Sequence, residues 1–282
     1  MRETRQIRTE EINKTVIASV QTDTGCVREA NEDAGRHVQP NDIETQVRKG
    51  TLTIVADGMG GHASGEVASA MAVDLIAELY YADSQNAPTA ALKNAIETAS
   101  QSIYQHSLTA EKLFGMGTTV VALALFEDSA IAAHVGDSRL YRLRGGRLEM
   151  LTLDHSQVME MVKHGILSMD EARNHDDKNV ILRAVGTQTT VEAEVSPPFA
   201  VEVGDAFLLC SDGLSDMIDD FQIEQIMNSS PDIHAACERL IEEAKSAGGH
   251  DNITAVIVQI SAEEAKAKTV RATRDIQLAK EN

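Results

Sequence analysis

The chain has no tryptophan, and aromatic residues make up only 3% of it. Its core must therefore be built from aliphatic side chains and methionine, within an apolar share of 43% that is ordinary for a globular protein. Cysteine is scarce as well. Cys26, Cys210 and Cys237 are odd in number, widely spaced and without a CxxC pair, which excludes a disulfide framework. No run of about 18 apolar residues exists, so no transmembrane helix is expected. The charged start, Met1 to Thr15, lacks the apolar stretch of a secretory signal. A reducing cytoplasm is the expected location. Basic residues are few: 25 Lys and Arg stand against 44 Asp and Glu, for a net charge of −19. That balance excludes nucleic acid as a partner, which calls for a basic footprint, and disfavours an anionic membrane surface.

What is present is a chain of 282 residues with no internal repeat and no long Pro, Gly or Ser linker. Layered α/β units of about 250 residues occur as single domains, so one domain over residues 16–260 is expected. It is preceded by a charged extension at 1–15 and followed by an Ala- and charge-rich tail at 261–282.

Within that domain, strands are predicted at Val16–Gln21 and at Thr51–Ala56, the second ending in Asp57-Gly58. Two helices follow. Ala68, Met71, Ala72, Leu75, Ile76 and Leu79 mark one helical face; Ala91, Leu92, Ala95, Ile96, Ala99 and Ile103 mark another, with Pro88 at its start. Thr118–Phe126 is almost wholly apolar, as a strand buried on both faces would be. Ser129–Val135 and Arg139–Leu143 continue the β-structure, with Gly145-Gly146 as a turn. A polar, helix-leaning insertion spans about 155–175. Val191–Val195, Ala206–Cys210 and Ile253–Ile260 close the set, with a helix at about Ile233–Ala247. This order does not alternate as βαβ and predicts an α+β layered domain.

Five short motifs lie where apolar strands begin or end: Arg28-Glu-Ala-Asn-Glu-Asp33, Asp57-Gly-Met-Gly-Gly-His62, Gly136-Asp-Ser-Arg139, Ser211-Asp-Gly213 and Asp251-Asn252. A carboxylate at the mouth of a buried sheet loses hydration, which is costly without compensating positive charge. Several converging there would repel one another, and a divalent cation resolves both problems. An all-oxygen donor set selects Mg²⁺ or Mn²⁺ over zinc. Singly, each motif also reads as a plain turn, cap or hairpin end, and Arg28 as a surface ion pair. Gly58, Gly60 and Gly61 let backbone approach a metal or phosphate closely.

Taken together and in order, these motifs resemble the type 2C metal-dependent protein phosphatases, in particular their bacterial single-domain branch. The resemblance runs from about Val16 to Ile260 and includes Asn31-Glu-Asp33, Val55-Ala-Asp-Gly-Met-Gly-Gly-His62, Gly115-Met-Gly-Thr-Thr119, Val135-Gly-Asp-Ser-Arg139, Asp154-His-Ser156, Ser211-Asp-Gly-Leu214 and Gly249-His-Asp-Asn-Ile-Thr254. It implies a four-layer α-β-β-α sandwich, with two central, mainly antiparallel sheets flanked by helices. It further implies that Asp57 bridges two metals, that Gly58 gives its carbonyl oxygen, and that Asp212 and Asp251 complete the first ion. Asp33 and Glu32 act nearby, Asp137 joins Asp212 at a looser third site with Asp216 beside it, and Arg28 holds the substrate phosphate.

The implied reaction is hydrolysis of phosphoserine and phosphothreonine in proteins by a metal-activated water or hydroxide, with no protein nucleophile. Cys26 and Cys210 are then expected to be buried structural thiols. Many eukaryotic members carry His two residues after the bridging aspartate; here Met59 stands there, and His62 is the alternative acid for the leaving alcohol, against a purely structural role. The insertion at about 155–175 corresponds to the family's flap beside the active site. Phosphoprotein substrates and a Ser/Thr protein kinase with its targets are the implied partners of a monomer. The alternatives are a catalytically inactive binding module of the same fold and a small-molecule phosphatase.

Overall fold

A computed structural model describes residues 14–60, 64–126 and 128–262. In chain order its elements are β1 (Lys14–Asp23), β2 (Asp33–Val38), α1 (Ile43–Lys49), β3 (Thr51–Met59), α2 (Ser64–Ala82), α3 (Pro88–Ser107), β4 (Gly117–Thr118), β5 (Val120–Leu125), β6 (Ser129–Val135), β7 (Arg139–Arg144), β8 (Arg147–Met150), α4 (Gln157–Lys163), α5 (Met169–Arg173), β9 (Glu194–Val195), β10 (Phe199–Ala200), β11 (Ala206–Cys210), α6 (Asp212–Ser215), α7 (Asp220–Ser229), α8 (Ile233–Ser246) and β12 (Ile253–Ala262). One sheet has the order β1-β12-β11-β7-β8; the other runs β10-β6-β5-β3-β2, with β9 on β6 and β4 on β3. Every pairing is antiparallel.

The period of two along each strand builds the layers. On β5, Val121, Leu123 and Leu125 pack between the sheets, while Val120, Ala122 and Ala124 face α2 and α3. On β12, Val256, Val258 and Ile260 meet them from the other sheet, and Ile253, Ala255 and Ile257 face the helical layer that includes Leu240 and Ile241 of α8. The expected α-β-β-α sandwich follows, because neither central sheet leaves an apolar face uncovered. Each fully buried Leu, Ile or Val contributes about 1.5–3 kcal/mol, so the aliphatic core does the work that aromatics do elsewhere.

Local signals set the helix ends. Pro88 opens α3, where its missing N–H costs nothing. Asp232 caps α8 by accepting the Ala235 N–H, and Asp219 and Gln222 form a reciprocal capping box on α7.

The structure departs from the sequence expectations at several places. β2 and α1 are absent from them, since Asp33-Ala-Gly-Arg-His-Val shows no alternation and is half-buried at every position but the exposed Arg36. α7 was also not anticipated. Val191–Val195 shrinks to the two residues of β9. β3 does not end at Ala56 but runs on to Met59, because β4 pairs with Gly58 and Met59. Cys210 and Cys237 are buried as free thiols, whereas Cys26 is exposed, in the turn that follows β1. Among the described residues no helix is long and apolar enough to cross a membrane.

Candidate active site

The cleft lies at the end where the two sheets part. Val55 points between the sheets, and Asp57 follows it two residues on along the same strand. Asp33 sits directly across from Asp57 in the β2–β3 register. Cross-strand neighbours lie about 5 Å apart at Cβ, and like charges placed so are destabilising. Asp212 arrives from the other sheet, one residue past Ser211 at the end of β11. Asp57 and Asp212 are close enough to share a hydrogen bond. Asp137 comes from the β6–β7 turn, and Asp251 lies two residues before β12. Five of the sequence-predicted carboxylates thus belong to one acidic cleft.

Asp33, Asp57 and Asp212 keep some contact with solvent at the mouth, yet protein surrounds them closely. Burial, opposed by hydrogen bonds from Ser211 and Thr254, pushes Asp33 up to about 7, with Asp212 and Asp251 adding to the rise. Burial and then the Asp216 charge push Asp212 up to about 6. Asp57 is held well above the usual carboxylate range by burial, then by Asp33 and Asp212; Asp137 likewise by burial, then by Asp212 and Asp154. Desolvation is the first cause in each case, and neighbouring carboxylates add to it.

The surrounding loops are fixed by side chains. Asn252 accepts the Glu32 N–H at 2.8 Å and donates to the carbonyls of Thr24 and Ala30 at 3.0 and 2.9 Å, pinning the loop that carries Arg28. Arg28 Nη2 donates to Asp251 Oδ2 at 2.7 Å and is half-exposed. Ser211 Oγ donates to Asp33 Oδ2 at 2.7 Å and accepts the Thr254 N–H at 3.0 Å. Gly58 admits no other residue: a Cβ there would lie 2.2 Å from the Gly65 carbonyl oxygen and 2.5 Å from that of Glu32.

A cavity of about 310 Å³ opens beside Asp137 and Asp212, walled by Val158 and Met159 of α4, Met169 of α5, and Met217 after α6. Lys178, just past the insertion, donates to Asp216 at 2.7 Å, and Arg173, within it, donates to Asp220 at 2.7 Å. Asp216 therefore lies near the cleft with an ion-pair partner of its own. His62 falls outside the described residues.

The Protein phosphatase 2C family profile matches residues 28–255. The serine/threonine phosphatase stp of Listeria monocytogenes serotype 4b (strain F2365) is 38% identical over 248 residues, 86% of this chain and 95% of that protein. Among solved structures, the serine/threonine phosphatase PstP/Ppp of Mycobacterium tuberculosis superposes with a TM-score of 0.77 at 33% identity, over 87% of this chain and 99% of that one. The catalytic domain of PstP in complex with two manganese ions gives a TM-score of 0.76 at 33% identity, over 88% and 100%. The chain belongs to the protein phosphatase 2C family.

The phosphatase's own donor set fits a pair of hard cations. Asp33 Oδ1, Asp137 Oδ1 and Asp212 Oδ1 are buried oxygens with no hydrogen-bond partner, half of the six such side-chain atoms among the described residues. Buried polar atoms are otherwise satisfied, so three unspent carboxylate oxygens in one cleft match a cation site. A different group, His134, His155 and Glu194, brings possible ligand atoms within 4.8 Å of one another. Its geometry speaks against an ion. The two rings stack at 4.5 Å with 15° between their planes, so their in-plane lone pairs do not converge.

Sequence reasoning named Asn252 and Ser211 within motifs without giving them a task. Thr119, quoted only as the end of the Gly115–Thr119 motif, likewise had none; its Oγ1 accepts the Asp57 N–H at 3.0 Å and bonds to Ser138 Oγ at 2.7 Å. The only signal available was a pair of hydroxyls, Thr118-Thr119, opening an apolar strand.

Proposed function

We propose that Asp57, the Gly58 carbonyl, Asp212, Asp251 and Asp33 hold two catalytic Mn²⁺ or Mg²⁺ ions, with Asp137 and Asp212 at a third position. The chain is a metal-dependent serine/threonine protein phosphatase acting on phosphoproteins. The observation that carries the site assignment is the convergence of three unpartnered, buried aspartate oxygens where the sheets part. Bound divalent cations supply Lewis acidity and activation of water at neutral pH.

The chain's residues do the rest. Asp57 and Asp33, fixed opposite each other across β3 and β2, present their carboxylates on one face of a rigid sheet. Thr119 and Asn252 hold Asp57 and the Arg28 loop from behind. Arg28 can turn from Asp251 to two oxygens of a substrate phosphate, a fork that Lys does not reproduce. His62 would protonate the leaving serine or threonine oxygen. A normal pH–rate profile for His62→Ala with a poor leaving group would remove it from that role.

Residues 16–260 form the catalytic unit in this reading, with 155–175 as a flap over the cavity and 1–15 and 261–282 as extensions. A monomer in the cytoplasm opposing a Ser/Thr kinase completes it; the acidic surface supports solubility. The deciding experiment is hydrolysis of p-nitrophenyl phosphate and of a phosphothreonine peptide by wild type and Asp57→Asn, with Mn²⁺, Mg²⁺ or EDTA. Activity that needs metal and disappears with the substitution upholds the assignment. Metal-dependent activity surviving in Asp57→Asn overturns it.

A further inference from the structure

His155 has no task in the mechanism above, yet it is buried and more fully bonded than its neighbours. Its backbone N–H donates to the Gly136 carbonyl at 2.9 Å, and its ring Nδ1 accepts the Gly136 N–H at 3.2 Å. Both backbone groups of the residue before Asp137 therefore end on one histidine. The His155 carbonyl accepts the Leu182 N–H at 2.7 Å, which ties the segment that follows the insertion to the same point.

An imidazole that accepts at Nδ1 carries its proton on Nε2 when neutral. The surroundings favour that tautomer. Nε2 faces Glu194 Oε2 at 3.3 Å, across on β9. The stacked His134 spends its own Nε2–H on the Leu153 carbonyl at 2.8 Å. Burial first, then the neighbouring His134 and Arg183, keep His155 below the usual histidine range, with Glu194 opposing them, so the ring is neutral near pH 7.

On its other side the turn has no slack. Gly136 has φ of 107°, and a Cβ there would lie 2.7 Å from Thr119 Cβ. Ser138 Oγ bonds to Thr119 Oγ1 at 2.7 Å. Asp137 thus projects its unpartnered Oδ1 from a turn clamped between Thr119 and the His155 ring. With no hydrogen-bond acceptor at Nδ1, a buried N–H would be stranded and the turn would shift to satisfy it.

We propose that His155 is a positioning residue for the metal centre: its Nδ1 accepts the Gly136 N–H while Nε2–H is directed at Glu194, and this fixes the Gly136–Asp137 turn so that Asp137 can bind a cation. This rests on the reading of Asp137 as a metal ligand. The test is Mn²⁺ binding to the metal-free full-length protein, followed by calorimetry and by electron paramagnetic resonance of free Mn²⁺. His155→Asn keeps an acceptor oxygen at the Nδ1 position, whereas His155→Gln places its amide near Nε2 and leaves Gly136 unpaired. Glu194→Lys, at an exposed side chain, sets a donor against Nε2 and favours the Nδ1–H tautomer without disturbing the core.

His155→Asn should bind its weakest Mn²⁺ within about twofold of wild type, while His155→Gln and Glu194→Lys should weaken that ion roughly tenfold or more, as loss of an outer partner of a metal ligand does. Equal weakening in Asn and Gln overturns the role of the acceptor. Wild-type binding in both Gln and Lys variants overturns the positioning role. Asp137→Asn separates the two levels. If it leaves Mn²⁺ binding unchanged, the ligand assignment fails and the proposal with it; if it weakens the same ion, only the behaviour of the His155 and Glu194 variants decides.

Discussion

Two aspartates bracket strand β11, roughly 20 Å apart by strand rise, and they live by opposite rules. Asp205, just before the strand, is buried to 1% exposure and fully spent: Arg144 donates through Nε at 2.7 Å and Nη2 at 2.6 Å, and the Glu202 N–H at 2.8 Å. Asp212, just after it, retains some exposure, has an orphan oxygen and meets Asp57, a second carboxylate. Asp154 repeats the first pattern, bound in fork geometry by Arg139 at 2.7–3.2 Å. Burial of a carboxylate is therefore no sign of function in this protein. Unspent lone pairs facing other acids are.

That contrast can be broken experimentally. Asp57→Asn should lower metal-dependent hydrolysis of p-nitrophenyl phosphate by roughly 10³-fold, the scale of losing an electrostatic contributor to the transition state. In EDTA the same variant should melt higher than wild type, since it removes a like charge from the cleft. A lower melting temperature in EDTA would place Asp57 in the class of Asp205.

The pH dependence sharpens the same point. Asp33 and Asp212 have folded values raised to about 7 and about 6, above an unfolded aspartate near about 3.9. Between those limits the folded protein binds more protons than the unfolded chain, so its stability falls as pH rises. The contribution is fully present below about pH 4 and lost as pH passes through about 6 and 7. In thermal melts with EDTA, wild type should lose ground to Asp33→Asn across that window, and saturating Mn²⁺ should remove the trend. A constant difference would show that Asp33 is not raised.

At the other end of β11 the sign reverses. Asp205→Ala should destabilise by about 2 kcal/mol, because it strands the partly buried Arg144 guanidinium. The melting temperature should drop by about 4–8 °C with Mn²⁺ affinity unchanged; altered metal binding would mean the two ends are coupled. The smallest expected effect is Arg28→Lys. It keeps the charge but loses the fork, and should cost about tenfold in kcat/KM, mainly through KM. A change confined to kcat would assign Arg28 to the transition state alone.

Much of this architecture could be read along the chain. The two helical faces at Ala68–Leu79 and Ala91–Ile103, the continuous apolar run within Thr118–Phe126 and the late helix at about Ile233–Ala247 carry strong local signals, and they appear as α2, α3, β5 and α8. β2 was illegible because its residues, the exposed Arg36 aside, are half-buried, so no alternation marks it. α1 and α7 were too short or too polar to announce themselves; their boundaries rest on caps. Asp33, Asp57, Asp137, Asp212 and Asp251 were legible as candidates because each adjoins a strand or turn signal. The exposed Cys26 was misjudged, since local sequence does not report whether a second layer covers a loop.

By itself, the sequence determined the strongly patterned strands and helices, which of their faces are apolar, and which acids stand at strand mouths, because these follow from side-chain period and turn chemistry. It could not tell the acids of the cleft from Asp154 and Asp205, which are equally acidic and equally close to strands. Only the tertiary structure decided that: it brought Arg139 and Arg144 to one set and other carboxylates to the other. A carboxylate's chemistry depends on which charges lie within a few ångströms, and that proximity is created by strands far apart in the chain.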